Sequence, residues 1–367
     1  MKKTPFLLLC CALSTPAVAG TWETDYSLFL NNYYGYTDYA SSYNRLHKQN
    51  NLNSSVNFYG QTSYFFNQDY SASLVGYVMA DSAKKIENYN QGVWGEEVFA
   101  LADSPYGQIS VGQNYNVAYA FAVGAPNIGA YHINNTELTN FISNPNWYKK
   151  GHKASYKTLN STYINTDGAS LKASYITPTY KGIKLGATYV PETYSESGLV
   201  AKDSPYKDKS AYVLGAYGGW DILGYELETS LGFADFDKND KEYSAGFSLY
   251  RKGWTLGVSY RKTKTSKSDY ALNKENLFDA YREGRAYNVG LSYAIGPYTA
   301  GIAYFDSKAE NFANHDKIIS FSNTFQYNKY VAFSLTAAHL ESEGENNDLK
   351  NTSKGYAFIV GLELSLW

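Results

Sequence analysis

Beyond residue 11 the chain contains no cysteine, because its only two are Cys10 and Cys11. Once a leader is removed no disulfide, reactive thiol or thiolate metal site is possible. Methionine (2) and proline (9) are scarce in the 367 residues. No run of eighteen apolar residues occurs past the first twenty, so no helix spans a bilayer. Charge of one sign is also missing: 32 Lys and Arg face 34 Asp and Glu, a formal net charge of −2 that becomes −4 without Lys2 and Lys3. A near-neutral chain with no basic stripe argues against a nucleic-acid partner. There are five histidines, His47, His132, His152, His315 and His339. None belongs to a nucleophile motif or to His-Glu-x-x-His spacing, so no catalytic residue, cofactor or metal is expected.

The N-terminus MKKTPFLLLCCALSTPAVAG joins a basic start, an apolar core from Phe6 to Leu13 and a small-x-small site at Ala17-Val18-Ala19. It reads as a secretory signal over 1–19, cut between Ala19 and Gly20 to leave a single domain over 20–367. The apolar run is too short for an anchor. Leu8 and Leu9, rather than a small residue, precede Cys10, which argues against lipidation.

What is abundant is tyrosine (38) and glycine (30). Tyr suits strand faces and membrane interfaces, and Gly suits a wall that must leave room for a channel or a neighbouring backbone. Short segments alternate apolar with polar residues at period two, the mark of strands with two unlike faces. We place them at 22–34, 53–66, 70–81, 93–101, 107–114, 169–176, 183–191, 209–218, 224–235, 241–250, 254–262, 286–295, 298–306, 316–327, 330–341 and 354–367. Tight turns fall at Asn67-Gln68-Asp69, Asp103-Ser104-Pro105, Thr177-Pro178, Gly218-Gly219, Lys252-Gly253, Gly296-Pro297 and Asn328-Lys329. Longer polar connections alternate with them. Sixteen antiparallel strands joined in this way predict an all-β, up-and-down transmembrane barrel with both termini at the periplasmic end. An exported chain with this pattern is expected in a bacterial outer membrane, surrounded by lipid.

Parity assigns the faces. Val56, Phe58, Thr62, Tyr64 and Phe66 should point to lipid, against Ser55, Asn57, Tyr59, Gln61 and Ser63. Trp254, Leu256, Val258 and Tyr260 form an outward row with aromatic ends, as do Tyr287, Val289, Leu291, Tyr293 and Ile295. Charge on the outward row should be costly. Lumen substitutions such as Ser259→Lys should be tolerated.

Three stretches resemble the Gram-negative general porins. YGQISVGQNYN (106–116) is similar to that family's fifth strand, and ASYITPTYKGIKLGATYV (173–190) to its sixth and seventh. VGLELSL (360–366) resembles its closing strand, which the outer-membrane assembly machinery reads. The resemblance implies a homotrimeric sixteen-stranded diffusion channel for small hydrophilic solutes, with a long third loop folded into the lumen. The chain departs from the pattern at Gln113, where the family carries Arg, at Ile176, where relatives are basic, and at the closing aromatic, since Trp367 follows the row Leu362, Leu364 and Leu366. The first two departures thin the basic half of the pore field.

The long connection 115–168 is the expected constriction, since a loop of that length is usually functional. Its candidates are Tyr119, Asn127, Tyr131, Asn134, Glu137, Lys149, Lys150, Lys153 and Asp167, with Glu97, Gln113, Lys172 and Lys184 on the wall. Charged rings discriminate ions, but many Tyr and Asn with few fixed charges fit a weakly selective pore or a sugar path equally well. The rival reading is a structural or adhesin barrel with a filled lumen, which the mostly small inward row disfavours.

Overall fold

A computed structural model describes residues 20–39, 50–81, 93–129, 159, 161–168, 170–192, 210–236, 240–264, 283–310, 315–343 and 352–366. They form one antiparallel sheet of sixteen strands: β1 (Thr21–Tyr39), β2 (Asn50–Phe65), β3 (Ser71–Asp81), β4 (Val93–Ser104), β5 (Gly107–Gln113), β6 (Leu171–Ile176), β7 (Ile183–Val190), β8 (Ala211–Ile222), β9 (Tyr225–Phe236), β10 (Asp240–Arg251), β11 (Trp254–Lys264), β12 (Gly284–Ile295), β13 (Tyr298–Ala309), β14 (His315–Asn328), β15 (Val331–Glu343) and β16 (Thr352–Leu366). Each strand pairs with its sequence neighbours, and β1 pairs with β16 from Leu28↔Leu366 to Tyr39↔Gly355, which closes the barrel. Closure leaves no open sheet edge, so every strand has a neighbour on both sides. The leader, the Ala19–Gly20 bond and Trp367 are not wholly within the described residues.

The outward and inward rows follow parity. Trp254, Leu256, Val258 and Tyr260 are exposed, while Ser259 and Arg261 on the alternate positions are buried. Val56, Phe58, Tyr287, Val289, Leu291 and Ile295 likewise face outward. Aromatic pairs brace the turn end of the outer surface: Trp254 against Tyr293 (4.6 Å), Tyr298 against Phe325 (4.7 Å) and Trp22 against Tyr64 (4.9 Å). These rings suit the membrane interface, where one side is apolar and the other wet.

Two turns differ from expectation by more than one residue. No turn forms at Gly218-Gly219: β8 runs on to Ile222 and the chain reverses at Leu223-Gly224, with φ of 55° and 77°. A two-residue hairpin turn with positive φ at both centres matches strand twist. The glycines serve packing instead, since a Cβ at Gly218 would collide with the Trp220 ring. At Thr177-Pro178 the reversal comes later, at Lys181-Gly182 (φ 50° and 82°), with Tyr180 and Ile183 bonded to each other on either side. Lys252-Gly253 turns where expected, at φ 48° and 87°.

Candidate functional site

The connection after β5 enters the barrel. Its first described part, 114–129, begins with one helical turn, α1 (Val117–Ala120). Asn116 caps it, accepting the Tyr119 N–H at 2.9 Å through Oδ1. The same side chain donates to Ile164 O (3.0 Å) and to Asp167 Oδ1 (2.6 Å), tying the outgoing chain to the returning one. From α1 the segment runs along the inner wall as a strap. Val117 N donates to Thr188 Oγ1 (3.1 Å), Val123 N to Ser230 Oγ (3.0 Å) and Ala125 N to Asn288 Oδ1 (3.1 Å).

Glycine makes this approach possible. On seven successive strands, β7 to β13, a Cβ on the wall glycine would meet the loop: Gly186 and Gly215 against Val117 and Phe121, Gly232 against Ala118, Gly246 against Val123, Gly257 against Gly124, Gly290 against Ala125 and Pro126, and Gly301 against Ile128. At Gly186 the clash would be with Val117 Cβ at 2.8 Å. The row steps across register from β9 to β13, as a level path must in a barrel of tilted strands. The described parts of the third loop are therefore inside the lumen, as expected.

The returning chain is fastened by two buried ion pairs. Arg261 on β11 is 1% exposed and forms a salt bridge with Glu242 of β10 at 2.7 Å. Its Nη1 donates to Asn165 Oδ1 (2.8 Å), and Nη2, which makes the salt bridge, also donates to Thr166 Oγ1 (2.8 Å). Thr166 in turn donates to Glu242 Oε1 (2.5 Å). Nearby, Asn288 Nδ2 donates to Thr162 Oγ1 (2.9 Å), and Thr162 shares a hydrogen bond with Ser259 (2.7 Å). Around β6, Lys172 Nζ holds Asp167 Oδ2 at 2.6 Å and Gly168 O at 2.7 Å. Both side chains of that pair are 0% exposed.

This geometry sorts the expected site residues. Asp167 and Lys172 are close together but do not face the channel water: each neutralises the other while clamping the loop to the wall. Tyr119 stacks on Tyr115 (4.2 Å between ring centres) and meets Tyr163 edge-on (5.8 Å). Asn127 is exposed on the strap. Glu97 lies half-buried on the inward row of β4, and Lys184 on that of β7, its ammonium 5.9 Å from the Tyr217 ring centre. Gln113 ends β5 just after Gly112 breaks the pleat at φ 144°, and its cross-strand partners Val98 and Leu171 belong to the outward row. Tyr131, Asn134, Glu137, Lys149, Lys150 and Lys153 lie outside the described residues.

Sequence reasoning did not single out Asn116, Glu242, Arg261 or Asn288. Arg261 carried a usable signal, since it has inward parity on a strand whose other inward residues are Thr255, Gly257, Ser259 and Thr263.

A family model described as "Gram-negative porin" matches residues 7–345. The chain belongs to the Gram-negative porin family. It is thus an outer-membrane channel protein, and sequence comparison with characterised proteins gives no match. Among solved structures the porin is similar to Salmonella typhi OmpF in complex with daunomycin (TM-score 0.60, 12% identity, 94% of this chain and 97% of that one). It is also similar to in-vitro folded Vibrio cholerae OmpT in its trimer form (0.58, 11%, 94% and 99%) and to a mutant of Rh. blastica porin (0.54, 12%, 94% and 100%). At these identities the likeness establishes the fold.

The porin's charges are unevenly placed. Residues 20–39, 50–81 and 93–129, which build β1 to β5 and the strap, contain no Lys, Arg or His. On the inward rows of these strands stand Glu23, Asp25, Glu97 and Asp103, and Glu226 and Glu228 continue the acidic lining on β9. Among the described strand residues the inward cations are Lys172, Lys184 and Arg261, and two of these are consumed by buried acids.

Proposed function

We propose that this porin is a passive diffusion channel for small hydrophilic solutes that favours cations over anions. The observation that carries the reading is the cation-free wall of β1 to β5 with its inward carboxylates. A ring of one sign sets ion preference in a wide aqueous pore. Tyr119 and Asn127 on the strap belong to the throat, and Tyr131, Asn134, Glu137, Lys149, Lys150 and Lys153 are proposed for its rim because they fall in the same insertion.

The test is the reversal potential of single channels under a KCl gradient at low ionic strength, where screening is weakest. It should have the sign of potassium selectivity, and combining Asp25→Asn with Glu97→Gln should move it towards zero. A chloride-selective wild type would overturn the proposal.

We further propose a homotrimer. The outward row of β1 and β2 carries polar pairs, with Ser54 Oγ donating to Asn32 Oδ1 at 2.8 Å and Thr24 opposite Thr62. Such groups are better covered by protein than by hydrocarbon. One structural neighbour is described in a trimer form. The closing strand β16 would be the segment read by the outer-membrane assembly machinery.

A further inference from the structure

The wall formed by β2 to β5 contains a recess of about 300 Å³, lined by Tyr59, Gln61, Val75, Tyr77, Glu97 and Phe99, with Leu101 and Gln108 at its lower end. The register arranges these side chains in rows. Tyr59, Tyr77 and Glu97 are cross-strand neighbours, and Gln61, Val75 and Phe99 form the next row towards the turns. An acid with two phenol rings therefore sits directly above an apolar surface. Val75 is the floor, at 4% exposure.

Three features mark this as more than an ordinary stretch of lumen. Elsewhere inward apolar side chains such as Val213, Phe236, Phe305 and Ile318 are buried in clusters with Ala118, Ala125, Leu159 and Ile164 of the third connection, whereas here Phe99 and Leu101 remain only half-buried. The register of β3 and β4 shifts between Tyr77 and Val78, inserting an extra residue immediately beside Glu97. Such bulges re-aim side chains and recur next to functional sites. Finally, Val98, the neighbour of Glu97, pairs with Gln113, the last residue of β5 before the strap departs. The recess thus starts at the height of the constriction.

The geometry points to a binding site for organic ammonium solutes that carry an apolar or aromatic body. The ammonium is held by Glu97 and the faces of Tyr59 and Tyr77, which attract cations through the ring quadrupole. The body lies against Val75 and Phe99, two residues or about 7 Å further along each strand, with Leu101 two residues beyond Phe99. Gln61 is a fixed wall element, because it accepts from Tyr59 Oη at 2.6 Å and donates to Ser63 Oγ at 3.0 Å. The inference rests on the cation-preferring pore proposed above but adds a site with demands on shape.

Phenethylammonium is a suitable probe in single-channel recordings of the full-length porin in 0.1 M KCl. It should interrupt the current in a concentration-dependent way, whereas ethylammonium, with the charge alone, and 2-phenylethanol, with the ring alone, should not. Glu97→Gln should weaken the block at least about tenfold, read as the fraction of each variant's own open-channel current that is interrupted, as expected for losing a partly desolvated charge partner. Phe99→Ala should weaken phenethylammonium block without altering potassium selectivity. Equal block by ethylammonium, or unchanged phenethylammonium block in both variants, would overturn the site. A wild type that conducts no current in KCl would instead overturn the pore reading.

Discussion

Each inward-facing charge that the strap covers depends on a particular partner. Arg261 and Glu242 are both nearly inaccessible, and between them they engage Asn165 and Thr166 of the returning loop. Removing one member strands the other charge, which typically costs about 3–5 kcal/mol. Arg261→Ala is therefore expected to lower the urea midpoint of the purified barrel and to make the open-channel current noisier, since the loop loses its clamp. Replacing both Arg261 and Glu242 by apolar residues of similar volume should restore much of the stability. A midpoint unchanged by Arg261→Ala would show that the pair is immaterial. On the other face, Val258→Lys puts a charge on the exposed outward row of β11, at an expected cost of roughly 2–4 kcal/mol near the midplane. Folding yield into lipid vesicles measures it. Ser259→Lys is not the harmless control that parity suggested, because Ser259 is 3% exposed beneath Thr162 and Asn288.

Among the elements, the strap is fitted to the wall by an absence of side chains. Gly246 and Gly257 lie under the carbonyls of Val123 and Gly124, so no atom separates loop backbone from strand backbone there. Gly246→Val should strain this contact by about 1–3 kcal/mol, the usual penalty for overpacking. The expected result is a lower midpoint for heat-induced unfolding, followed as a mobility shift on gels. A substitution to Val at Gly76 of β3, where a Cβ would meet nothing within 4 Å, should leave that midpoint in place. Equal losses at the two positions would mean that strand propensity, rather than the strap, accounts for the glycines.

For the whole molecule, the strap and the acidic wall divide the work of the pore. The strap narrows the lumen from the β7–β15 side, and the opposing β1–β5 wall supplies the field. Deleting residues 123–140 should raise single-channel conductance while the barrel still closes through β1 and β16. Cation preference should weaken but keep its sign, because Glu23, Asp25, Glu97 and Asp103 remain on the wall. Unaltered conductance would contradict a strap-limited pore.

Strand number, alternation of faces and the presence of an oversized third connection were legible in the sequence, because each is written locally. Period two follows from backbone geometry, and a turn such as Lys252-Gly253 identifies itself by residues that accept positive φ. Local signals misled where a residue answered a distant partner. Gly218 and Gly219 resemble a turn but accommodate Trp220, and Asp167 and Lys172 look like channel charges yet spend themselves on each other. Which inward residues meet water could be decided only by the tertiary structure. Parity says that a side chain points inward, but the path of the strap determines whether water or loop backbone awaits it there. The same holds for the recess: Tyr59, Val75 and Glu97 lie on three different strands, and it is barrel register, set by closure around the whole ring, that brings them together.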